Sequence, residues 1–149
     1  MLELNIRFMD LYKVVDCFIR GAYGSQQGVT EYLRLMEQNA FEGNRFVPTW
    51  KNDYDMLVRL RKIRNQFSHE VGFDVGICEV SDYHWLEDFK DRLFSASDPL
   101  AVLRKAKEKE RYRQAQLRKQ QSPTPVILQD RGPQPRKTLW QRIKAFFLG

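Results

Sequence analysis

The chain is poor in the residues that build metal centres and disulfide frameworks. Its 149 residues include two cysteines and two histidines. Cys17 and Cys78 are too few for a disulfide framework. Both lie in apolar-looking stretches and are expected as buried free thiols of a reducing compartment. His84 stands among Asp82, Glu87 and Asp88 with no further ligands in register, so it reads as an ordinary surface residue. Glu87, Asp88 and Asp91 read as a solvated helix face. No metal and no cofactor is expected. A phosphate-binding glycine loop and a nucleophile elbow are both missing. No apolar run is long enough to cross a bilayer, and Met1–Asp10 lacks a basic segment followed by an apolar one, which predicts a cytoplasmic chain. No stretch alternates convincingly with period two, and no internal repeat is visible.

Acidic residues are scarce in the last third. Residues 1–98 carry 12 Lys+Arg against 16 Asp+Glu, whereas 99–149 carry 13 against 3. The net +6 of the whole chain therefore belongs to its C-terminal part and calls for a partner of negative charge: nucleic acid, a membrane surface or an acidic protein.

Helical signals fill the rest. Leu2, Ile6, Met9, Val14 and Phe18 recur at helical spacing and predict a first helix to about Arg20, ended by Gly21–Ser25. A second runs from about Thr30 to Asn39 with Tyr32, Leu33 and Met36 on its apolar face. Phe41–Pro48 reads as a connector. Thr49 is placed to cap a third helix reaching His69, with Asp53 and Asp55 near its positive end. Ser81 is expected to cap a fourth, in which Tyr83, Leu86, Phe89, Leu93 and Phe94 are spaced for packing and Trp85 is a core aromatic. Asp98-Pro99 is a restart signal: a cap carboxylate, then proline at the first helical position. The fifth helix starts apolar and becomes almost wholly charged from Arg104 to Gln121, as a helix projecting into solvent does.

The expected architecture is thus all-α. A compact bundle of four to five helices occupies 1–104, and a charged basic helix extends it over 105–121. A Pro/Gln-rich linker follows at 122–137, then an amphipathic helix at 138–149. On that last helix Leu139, Trp140, Ile143, Phe146 and Phe147 share one side, opposite Lys137, Gln141 and Lys144. Such a segment suits a membrane interface, a groove on a partner or its own domain.

One segment carries chemistry. On a wheel of 100° per residue, Leu60, Ile63, Phe67 and Val71 form the core face of the third helix. Arg61, Arg64, Asn65, Ser68 and His69 fall on an adjoining arc, continued backwards by Tyr54, Leu57 and Val58. RNA can be cut without metal when its 2′-hydroxyl attacks the adjacent phosphate. That reaction needs a proton-transfer group titrating near neutrality, as imidazole does. It also needs a rigid cation on the phosphate oxygens, as arginine supplies. Arg64-Asn65-x-x-x-His69 resembles the ribonuclease motif of HEPN-superfamily domains, with Leu60-Arg61-Lys62-Ile63 as a similar lead-in and the resemblance covering about residues 1–104. It implies an all-α, homodimeric, metal-independent endoribonuclease of toxin or defence type. His69 would be general acid/base, Arg64 phosphate clamp and Asn65 orienter, with Arg61 and Ser68 as further substrate contacts. RNA would be the substrate, and an inhibitory protein a partner. Residues five apart on a helix point about 140° apart, so Arg64 and His69 of one chain do not face each other, and two copies about a two-fold axis would bring both sets into one groove. Two other readings stand beside it. In one, Arg64 pairs with Glu70 or Asp74 and His69 is a helix C-terminal cation. In the other, the chain is a non-catalytic dimeric interaction protein whose basic tail binds protein, RNA or membrane.

Overall fold

The computed structural model describes residues 2–69 and 77–122. All their regular structure is helical: α1 Leu2–Tyr23, α2 Val29–Gln38, α3 Ala40–Phe46, α4 Trp50–His69, α5 Val80–Phe94 and α6 Pro99–Gln121. The all-α expectation holds. The chain divides into two units, 1–111 and 112–149. In the first, α1 packs on α5 and α2, α2 also on α4 and α3, and α3 on α4. In the second, Tyr112 and Leu117 are exposed on the described turns of α6. Among the described residues no helix is long and apolar enough to cross a membrane. Val71, Glu70 and Asp74, most of the expected linker, and the segment bearing Leu139, Trp140, Ile143, Phe146 and Phe147 lie outside the described residues.

Several local signals act as their chemistry predicts. Thr49 stands at the start of α4, where its carbonyl accepts the Asp53 amide at 2.8 Å and its hydroxyl donates to Asp53 Oδ2 at 2.8 Å. Asp98 begins α6, with Oδ2 receiving the Ala101 amide at 3.4 Å and the Tyr32 hydroxyl at 2.5 Å, while that hydroxyl accepts the Leu100 amide at 3.1 Å. Burial, then the Asp98 carboxylate, pushes the Tyr32 phenol well above its usual range, so it stays a donor. Two amide orphans of α6 are thereby satisfied from inside the core.

Other expectations are corrected. The face of α1 that enters the core is Phe8, Tyr12, Val15 and Ile19, all buried, whereas Leu2, Ile6, Val14 and Phe18 are exposed. Phe18 instead rests on exposed Phe94, ring centroids 4.8 Å apart. α1 also runs through Gly21 and stops at Gly24, whose φ of 60° only glycine adopts freely. The expected connector contains α3, a helix too short to persist alone. It is held because Gly43 lies where a Cβ would overlap the Trp50 indole. Leu57 is buried in the core rather than continuing the polar arc. Helix α5 begins one residue before Ser81: Glu79 caps it, and the Glu79 amide donates to Asp82 Oδ2 at 3.0 Å.

Two buried carboxylates bridge α4 and α5, each gripped by a guanidinium of the other helix. Arg92 places Nη1 and Nη2 on the two Asp53 oxygens, each at 3.0 Å. Arg59 places Nε and Nη2 on those of Asp82 at 2.7 and 3.0 Å. The two aspartate side chains are each 2% exposed.

Helix α5 ends in a Schellman turn. The Ser97 amide donates to the Arg92 carbonyl at 2.9 Å and the Ala96 amide to that of Leu93 at 3.3 Å. The turn puts Ala96 at φ 52°, in the left-handed region that favours glycine.

Two stability outcomes follow. Arg92→Met strands the Asp53 carboxylate and is expected to lower unfolding free energy by about 3–5 kcal/mol, with Asp53→Leu added in the same chain recovering most of it. Ala96→Gly is expected to raise it by about 0.5–1 kcal/mol, the relieved left-handed strain exceeding the added chain entropy. Urea midpoints at unchanged slope measure both.

Candidate functional site

The last three turns of α4 carry the motif. Leu60, Ile63 and Phe67 point into the core, buried as the wheel predicts. Phe67 meets Phe8 of α1 at a centroid distance of 6.3 Å. With that face inward, Arg64, Asn65, Ser68 and His69 are exposed and Arg61 half-buried.

The exposed set is divided between two grooves. Asn65 and His69, one turn apart, line a shallow groove of about 320 Å³ together with Arg61, Lys62, Gln66 and Val58. Arg64 lines a different one, of about 270 Å³, with Tyr12, Lys13, Asp16, Cys17 and Arg20 of α1. Between the two grooves, Arg64 Nη1 donates a hydrogen bond to Asn65 Oδ1 at 3.2 Å. The Ser68 hydroxyl donates to the Arg64 carbonyl at 3.2 Å, so its proton is engaged on the helix backbone. One chain therefore brings Asn65, His69 and Arg61 together and turns Arg64 onto the adjoining face of α4, towards α1.

The electrostatics follow from burial. Tyr12 is 5% exposed. Burial first, then the Asp16 carboxylate, pushes its hydroxyl far up, against the opposing pull of the Arg64 and Arg61 guanidiniums. The phenol stays protonated and close to both cations. Asp16 is engaged in folding: its Oδ1 accepts the Val29 amide at 2.8 Å at the start of α2, and its Oδ2 pairs with Arg20 at 2.6 Å. Gly28 makes that cap reachable, because a Cβ there would overlap the Asp16 side chain. Among the described residues no group of three His, Cys, Asp or Glu side chains could hold a metal. His84 is exposed with Nδ1 3.6 Å from Glu87, and Asp88 and Asp91 pair with Arg92 and Lys90 on the outer face of α5.

Sequence reasoning missed Tyr12, Lys13 and Arg20 because they stand some fifty residues from the motif and the wrong face of α1 was expected inward. The available signal was the i, i+4, i+7, i+11 spacing of Phe8, Tyr12, Val15 and Ile19. The thiols also differ from expectation: Cys78 is buried, but Cys17 is exposed at the α1 groove.

The family of unknown function DUF6548 matches residues 6–141, a span that includes the whole of α4. No curated protein and no solved structure matches the chain.

A maleimide probe is expected to label one thiol in the native protein, Cys17. Cys78 is shielded, and its thiol is pushed up to about 11 by burial and then by Asp82; the thiolate is the reactive form. Peptide mapping should find Cys78 modified only after denaturation.

Proposed function

Since the chain belongs to DUF6548, a family of unknown function, we propose from its own residues that it is a HEPN-type, metal-independent endoribonuclease that works as a homodimer. The observation that carries this reading is the grouping of His69, Asn65 and Arg61 in one exposed groove at the end of α4, with Arg64 in the adjoining α1–α4 groove and hydrogen-bonded to Asn65. An imidazole able to move protons near neutrality and guanidiniums that hold phosphate oxygens are the two requirements of 2′-hydroxyl attack on the adjacent phosphodiester. In that reaction His69 takes the 2′-hydroxyl proton as general base, and the leaving 5′-oxygen takes a proton from solvent. The P–O5′ bond breaks as the 2′-oxygen bonds to phosphorus, leaving a 2′,3′-cyclic phosphate. Arg64 neutralises the non-bridging oxygens. Asn65 orients Arg64 through its side-chain oxygen, and Arg61 adds charge.

The division of the motif between two grooves favours a composite site. A two-fold axis near the end of α4 lets Arg64 of one protomer serve the same phosphate as His69 of the other. A toxin or defence role, held in check by a protein that occludes the groove, is the biological setting the motif suggests. The second reading, a non-catalytic dimeric interaction protein, draws on the exposed apolar residues Leu2, Ile6, Val14 and Phe18 of α1.

Purified protein is expected to cut a mixed RNA pool in EDTA and leave cyclic phosphate ends, with His69→Ala slower by about 10²–10⁴-fold and Arg64→Ala by about 10²–10³-fold. Mixing the two inactive variants tests the composite site. Random re-association gives one intact site in half of the dimers, so about a quarter of wild-type activity should return. No recovery after verified subunit exchange would place both residues at a site within one chain. Equal cleavage by wild type and His69→Ala would remove His69 from the chemistry, and absence of cleavage by the wild-type dimer would favour the interaction protein.

A further inference from the structure

The α1–α4 groove has more positive charge than folding uses. Three cations, Lys13, Arg20 and Arg64, meet a single carboxylate, Asp16. Both Asp16 oxygens are engaged, one by the Val29 amide and the other by Arg20. Among the described residues, that leaves Lys13 and Arg64 without a neutralising group inside the groove. Lys13 does lie 3.5 Å from Asp10, but the two side chains are 72% and 69% exposed, and water and salt screen such a pair. Among the described residues no carboxylate pairs with Arg64; its guanidinium rests on the neutral amide of Asn65. The floor adds a neutral hydroxyl, Tyr12, whose pKa is held up by burial. The groove has a volume of about 270 Å³ and is open to solvent.

Two cations in one groove, Lys13 and Arg64, suit two successive phosphodiesters of a strand. The groove also begins where Arg64 stands, so a strand held at Arg64 continues into it. We infer that the α1–α4 groove is a second phosphate-binding site, in which Lys13, with Arg20 beside it, holds the phosphodiester flanking the one at Arg64 and so directs a single RNA strand across α4. This rests on the reading of Arg64 as the clamp of the scissile phosphate. Lys13 is a positioning residue here: it touches the strand away from the reacting atoms, and its loss acts on binding and on its salt dependence. Cys17, exposed in the same groove, is a built-in reporter of occupancy.

The test uses the full chain and a fluorescein-labelled 2′-O-methyl oligoribonucleotide of mixed sequence, which lacks the attacking hydroxyl. Its affinity is measured by anisotropy across a salt series, beside cleavage of an unmodified RNA pool in EDTA. Each single-strand phosphate contact contributes about −0.7 to the slope of log K against log salt. Lys13→Gln, on a solvated side chain that leaves the core untouched, is expected to reduce the slope by about that amount and to weaken binding several-fold at low salt, while Lys13→Arg keeps both. Saturating oligonucleotide is expected to slow maleimide labelling of Cys17 in wild type and not in Lys13→Gln. An unchanged slope with unprotected Cys17 overturns the second site, and if wild type still cleaves RNA the ribonuclease reading survives alone. A reduced slope with protected Cys17 but no cleavage leaves the groove standing as a nucleic-acid site and removes the catalytic reading. Absence of any binding by wild type overturns both.

Discussion

Two guanidinium–carboxylate forks tie α4 to α5 and, together with the packing of α4 on α2 and α3, orient the helix that carries the motif. Asp53 and Asp82 are buried, and a buried carboxylate without its partner is among the most costly defects a small core can hold. Arg92 and Arg59 meet them with paired donors. The net gain over an apolar pair is small, but the geometry is demanding: rotating α4 about its axis would break the forks and withdraw Leu57, Leu60, Ile63 and Phe67 from the core together. The forks and the apolar face thus require the same orientation of α4, and in that orientation Asn65 and His69 turn to one side and Arg64 to the other.

The α1 face of the site has an equally structural origin. Asp16 stands in the groove as the cap of α2, and the close approach of Gly28 brings the Val29 amide within its reach. Once its oxygens are engaged by that amide and Arg20, the groove is left with the charge of Lys13 and Arg64. A folding requirement of the bundle therefore produces the electrostatic character on which the proposed phosphate site depends. The same packing buries most of Tyr12 near the Arg61 and Arg64 guanidiniums, and that burial keeps its hydroxyl protonated.

Elements whose start signals and apolar spacing agree were legible. Helix α2 shows Tyr32, Leu33 and Met36 at packing intervals, α4 has Thr49 before it and Leu60, Ile63 and Phe67 inside it, and α6 opens on Asp98-Pro99. Where pattern and packing compete, the local reading failed. Helix α1 is apolar on much of its circumference, so its spacing fits two faces, and burial of Phe8, Tyr12, Val15 and Ile19 selects the one that complements α5 and α2. Helix α3 has no strong signal of its own, since it exists through the contact of Gly43 with Trp50. The cap of α5 lies at Glu79 rather than Ser81: Asp82 accepts the Glu79 amide, and Arg59 holds the same carboxylate from α4.

The sequence by itself determined the all-helical class, the helix that carries Arg64, Asn65 and His69, and the angular separation of Arg64 from His69, because these depend on residue type and on 100° of rotation per residue. Only the tertiary structure decided which surfaces those side chains meet. The groove shared by Arg64, Tyr12 and Lys13 joins helices distant in the chain, and the choice of the buried face of α1 that creates it comes from packing and carboxylate satisfaction across the whole bundle, which no local pattern encodes.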